Sequence, residues 1–131
     1  MMAAVLLDTT VLIDALRGRG AVARMRALRA AGDVPHVCAV NVEELVRGVR
    51  DREWERTRRF LSALEVVPLG LLEGSRAGAW RRSFALRGRT LHQADCLVAA
   101  AALRVGGRLA TGNPKDFPME EIVVEHWPVG A

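Results

Sequence analysis

Four acids in this chain, Asp8, Glu44, Asp95 and Asp116, stand where an α/β protein can bring them to one place. Carboxylates that converge repel one another and raise each other's pKa unless a cation neutralises them. An all-oxygen set suits a hard ion, Mg²⁺ or Mn²⁺, that keeps some of its waters and takes phosphate oxygens as further ligands. Such a site can hydrolyse a phosphodiester: the ion acidifies and orients water, while arginines around the acidic centre hold the flanking phosphates.

The first acid closes a strand. Ala3 to Leu7 is an unbroken apolar run, the pattern of a central strand covered on both faces, and it delivers Asp8 to the carboxyl end, where ligands bind in open α/β sheets. Thr10 can cap a helix over Val11 to Arg17, closed by Gly18 and Gly20, with Asp14 as a dipole-favoured acid in its first turn. A second helix is expected over Ala21 to Ala31 and a strand over Pro35 to Val40. Asn41 then opens a third helix with a stripe of Val42, Leu45, Val46 and Val49. In that helix Glu43 pairs with Arg47 at the exposed i, i+4 spacing. Glu44 shares a face with Gly48, a glycine that can mark close approach by another group. Glu44 equally completes a capping box with Asn41.

An amphipathic helix follows over Asp51 to Leu64, then a strand over Val66 to Leu69 and a helix over Leu71 to Leu86. Thr90 to Gln93 has the capping-box pattern for a helix running to Val105. Asp95 would be its fifth residue, beyond comfortable reach of the helix dipole, in a segment so apolar that it must be largely buried. An acid there needs a basic partner, a proton or a metal ion. Arg108 to Thr111 forms the next strand, Asp116 falls in the proline-bracketed turn after it, and Ile122 to Glu125 is the last strand. Strands alternating with helices predict an α/β fold with a central, mostly parallel sheet of four to five strands.

The 131 residues are enough for one domain, 1–131, and half of them are apolar. No run approaches the roughly 18 residues of a membrane span, and no signal peptide is apparent, so a cytoplasmic protein is expected, with no membrane partner. Cys38 and Cys96 are expected as reduced thiols. The net charge is +4 and the pI about 10.4, with Lys115 the only lysine. A basic balance favours an anionic partner, nucleic acid first, although scattered arginines also serve as solvated surface.

The segments LLDTTVLIDALRG, EELVRGV and LHQADCLVAAAALRVGGRLATGNPKDF resemble the successive motifs of the PIN-domain superfamily, and most of all those of VapC-type toxin ribonucleases from bacterial toxin–antitoxin pairs. The resemblance implies a three-layer α/β/α nuclease and makes Asp8 and Asp95 metal-binding acids, with Glu44 and Asp116 contributing directly or through water. Glu44 falls on the glutamate of the ELxxG pattern, ahead of Glu43, and Asp116 on the acid of TxNxxDF, with Thr111 and Asn113 as polar companions. Thr10 stands where the family usually has Ser or Asn. The resemblance further implies a Mg²⁺-dependent endoribonuclease that cuts RNA, forms a homodimer and is inhibited by a cognate antitoxin.

Competing readings are weaker. A dehalogenase-type phosphatase wants an acid two residues after Asp8, where Thr10 stands, and a phosphorylated receiver wants an acidic pair that is missing. His92 and Cys96 share a helix face, but no second pair completes a zinc site. A catalytically silent RNA- or partner-binding domain of the same fold predicts a broken acid set, whereas all four acids are present.

Overall fold

In the computed structural model, which describes residues 3–130, β1 (Ala4–Leu7), β2 (Val34–Cys38), β3 (Glu65–Val67), β4 (Arg108–Thr111) and β5 (Val123–His126) form one sheet in the order β3-β2-β1-β4-β5. Every neighbouring pair is parallel, with Leu6 opposite His36 on one side and Leu109 on the other. The helices are α1 (Thr9–Leu16), α2 (Ala21–Ala30), α3 (Ala39–Gly48), α4 (Trp54–Ser62), α5 (Leu71–Leu86) and α6 (Gln93–Arg104).

Successive side chains of β1 point to opposite faces, and both faces are covered. Leu6 packs with Leu109, Val67, Trp80 of α5 and Val98 and Ala102 of α6. Val5 and Leu7 pack with Val37 and Ala110, with Val11 and Leu12 of α1, Met25 of α2 and Leu45 of α3. Val5, Leu6 and Leu7 are all 0 % exposed, and full burial of each such side chain contributes about 1.5–3 kcal/mol. The predicted three-layer α/β/α arrangement is thus present, with five strands.

The chain leaves β1 toward β2 and β3, then crosses back through α5 and α6 to reach β4 on the other side. The strand order therefore reverses at β1, and the crevice outside the carboxyl ends of β1 and β4 is the switch point where open α/β sheets bind ligands. Asp8 sits at its mouth.

Three helix starts differ from expectation, and each difference relocates a site residue. Helix α1 begins at Thr9 with Asp8 as its N-cap, so Thr10 is inside the helix rather than capping it. Helix α3 begins at Ala39, with Val40 inside it rather than in the strand. Its cap is Cys38, whose backbone N–H donates to Asn41 Oδ1 at 3.0 Å, so the expected box between Asn41 and Glu44 does not form. Helix α6 begins at Gln93 after His92, because Leu91, 5 % exposed, enters the core ahead of the helix. Asp95 consequently lies in the first turn, within reach of the dipole, and not beyond it.

Three smaller expectations change. Asp14 lies past the first turn of α1, and its carboxylate is buried because it accepts the N–H groups of Ala21 at 3.0 Å and Gly130 at 2.9 Å. Gly48 is the last residue of α3, and a side chain there would meet nothing, so no close approach explains it. The segment after Asp51 is a 3₁₀ turn, Asp51–Glu53, followed by the shorter α4.

Candidate active site

Asp8 is 7 % exposed at the end of β1. Its Oδ2 accepts the hydroxyl of Thr111 at 2.8 Å and that of Thr10 at 3.1 Å. Each hydroxyl is itself locked: Thr10 Oγ1 accepts the N–H of Gly112 at 2.9 Å, and Thr111 Oγ1 the N–H of Asn113 at 3.0 Å. Each hydroxyl accepts a backbone N–H on one lone pair and donates its single proton to Asp8, whose carboxylate can only accept. Gly112 makes this crowding feasible, since a Cβ at that position would lie 2.5 Å from Val129 Cγ2 and 3.3 Å from Thr10 Oγ1. Burial pushes the Asp8 carboxyl above its usual range, the threonine hydroxyls and the Thr9 N–H pull it down, and the charge of Glu44 adds to the rise.

Glu44 is half-buried on α3 and accepts the Thr9 hydroxyl at 2.7 Å. Beside it opens a groove of about 340 Å³ floored by Ile13, Leu16, Leu45 and Val49, with Arg17, Arg50 and Arg56 around it. Asp95 faces the same edge from the first turn of α6. Burial first, then the charges of Asp116, Asp8 and Glu44, push its pKa up to about 6, against a smaller opposing effect of His92. Asp116 is exposed at the end of the 3₁₀ turn Pro114–Asp116, which Phe117 anchors at 3 % exposure. Asn113 contributes through its backbone N–H to Thr111.

The four acids named from the sequence therefore share one electrostatic neighbourhood. Among the described residues none of them forms an ion pair with Arg or Lys. No three His, Cys, Asp or Glu side chains among the described residues stand close enough to hold an ion directly. The donors fit Mg²⁺ in a looser sense: it commonly takes one or two carboxylates and fills its octahedron with water and substrate phosphate oxygens. A pair of raised carboxyls without basic partners matches that requirement.

Thr9 and Asn41 escaped sequence reasoning. Thr9 reads as part of a turn and Asn41 as a helix opener, and the DTT run offered a signal only in that three consecutive polar groups follow a buried strand.

The fold belongs to a known class. The PIN domain family model matches residues 5–118, and the chain belongs to the PIN domain family. Among curated proteins it is 34% identical over 119 residues to ribonuclease VapC19 of Mycobacterium tuberculosis, covering 87% of this chain and 92% of that one. It is 35% identical over 118 residues to ribonuclease VapC10 of the same organism, covering 89% and 88%. Among solved structures, the fold matches a chain in the DNA-bound VapBC complex of Salmonella typhimurium with a TM-score of 0.81 at 22% identity, over 97% of this chain and 99% of that one.

Proposed function

We propose that this chain is a single-domain, metal-dependent endoribonuclease, the toxin of a toxin–antitoxin pair. The observation that supports the reading is that Asp116, Asp8 and Glu44 all act electrostatically on Asp95 at the carboxyl edge of the sheet, with none of the four paired to Arg or Lys among the described residues. That intact set favours an enzyme over a silent binding domain. Similarity to the VapC ribonucleases, and to chains solved in VapBC complexes, supports RNA as substrate and an antitoxin as partner. A homodimer and a cytoplasmic site of action accompany the reading; among the described residues no helix is long and apolar enough to cross a membrane.

Asp8 and Asp95 would hold Mg²⁺, or Mn²⁺, with Glu44 and Asp116 contributing directly or through water. When bound, the ion supplies an acidified water and charge neutralisation at the phosphate. Thr10 and Thr111 keep Asp8 in its ionised, accepting orientation, and Asn113 fixes Thr111. The half-buried position of Asp95 keeps bulk water from screening the site. Arg17, Arg50 and Arg56, around the groove beside Glu44, take flanking phosphates.

Purified protein incubated with a mixed RNA pool, with and without Mg²⁺, tests the proposal. Cleavage is expected with Mg²⁺ alone, falling about a thousandfold or more in Asp8→Asn and Asp95→Asn. Cleavage undiminished by EDTA, or at the parent level in both variants, rules the metal nuclease out, and RNA binding without cutting favours the silent domain.

A further inference from the structure

The hydroxyl that holds Glu44 is itself held from behind. Asn41 is 0 % exposed in the first turn of α3, and both ends of its amide are engaged. Oδ1 accepts the backbone N–H of Cys38 at 3.0 Å and the Cys38 thiol at 3.3 Å, while Nδ2 donates to Thr9 Oγ1 at 3.2 Å. A backbone N–H can only donate, so rotating the amide by half a turn would set donor against donor. The amide nitrogen likewise only donates, so Thr9 accepts from Asn41 and its one proton goes to Glu44 Oε1, 2.7 Å away. The direction of the whole series, Cys38 to Asn41 to Thr9 to Glu44, follows from a single main-chain N–H.

From this geometry we infer that Asn41 and Thr9 are positioning residues for Glu44. They form a buried, one-way donor chain that pins Oε1 toward α1 and leaves Oε2 as the oxygen that serves the ion or its water. The inference rests on the nuclease reading above, and neither residue touches substrate. Asp8 is held by the same device, with hydroxyls fed by the N–H groups of Gly112 and Asn113. The two arrangements differ in one respect. The relay to Asp8 starts from the main chain, whereas the relay to Glu44 passes through a side chain, so its direction is open to substitution. An unpartnered Nδ2 or hydroxyl here would also carry the cost of a buried, unsatisfied polar group, so the chain is held together by its own completeness.

Thr9→Val, Thr9→Ser and Asn41→Asp in the full chain test the inference, with kcat and KM for RNA, Mg²⁺ affinity of the metal-free protein by calorimetry, and melting temperature measured side by side. Thr9→Val keeps the shape and removes the proton. It is expected to lower kcat about 10- to 100-fold with little change in KM, and to weaken Mg²⁺ binding within the same range. Thr9→Ser restores both. Asn41→Asp still accepts the Cys38 N–H but has no amide N–H to donate, so two carboxylates compete for the Thr9 proton and the hold on Glu44 weakens in the direction of Thr9→Val. Thr9→Ala is measured in the same way where valine disturbs folding. Parent-like kcat and Mg²⁺ affinity in a folded Thr9→Val or Thr9→Ala overturns the inference, as does a Thr9→Ser as defective as Thr9→Val. A parent that binds Mg²⁺ and cuts no RNA defeats the nuclease reading instead, and the calorimetry still decides the donor chain.

Discussion

At the amino-terminal side of the sheet, Arg108 opens β4 and donates to Asp33 at 2.9 Å and to Glu125 at 2.7 Å. At the carboxyl-terminal side, Asp8 receives two threonine hydroxyls and the Thr9 N–H, Glu44 receives a threonine hydroxyl, and Asp95 feels three other acids. The residue types are alike and the electrostatics are opposite. The Arg108 guanidinium holds Asp33 below the usual carboxylate range, whereas burial and like charge raise Asp8 and Asp95 above it. Acids whose charge is already balanced act as fold fastenings. Acids whose charge is not balanced remain available for an ion, and that separates the two ends more sharply than sequence position does.

The largest expected break in this contrast comes from Thr111→Val. It removes the 2.8 Å donor to Asp8 and leaves the Asn113 N–H without its acceptor. RNA cleavage assays should show a loss of about 10- to 100-fold while circular dichroism shows the fold retained. Arg108→Ala should do the reverse. Two half-buried acids lose their shared partner, stability falls by about 1–2 kcal/mol in urea titration, and kcat at a temperature where the variant is folded stays at the parent value.

The smallest effect concerns pH. Asp95 has a folded-state pKa of about 6, above its ordinary value, so between the two the folded chain retains a proton that the unfolded chain has lost. Its contribution to stability is present at low pH and disappears as pH rises through about 6. Metal-free Asp95→Asn should therefore melt above the parent near pH 8 and converge with it near pH 4, and calorimetric scans across that range check the crossing.

Much of this was readable from residues. The apolar run Ala3 to Leu7 fits an interior strand with Asp8 at its carboxyl end, and the structure has β1 over Ala4–Leu7 with Asp8 directly after it. Glu44 was separable from Glu43 only by helix face and family pattern, because both flank the same apolar stripe. The missing information is tertiary. Thr9 acts on a residue 35 positions away, and Asn41 looks like an ordinary helix opener until its amide is seen spanning Cys38 and Thr9. The shifted starts of α3 and α6 have the same origin. Cap preferences are worth about 1 kcal/mol, and burying Leu91 or pairing the Cys38 N–H outweighs them.

The bond between Thr111 and Asp8 joins positions 103 residues apart, and β4 reaches β1 only after the chain has formed β2 and β3 and crossed back over the sheet. Contacts of such long sequence separation form slowly and late, because the loop between them must be closed first. During synthesis the first acid is made 103 residues before the threonine that steadies it. On the proposed nuclease reading, an elongating chain would carry Asp8 without its steadying hydroxyl until Thr111 had been made, so the site would stay incomplete over that interval.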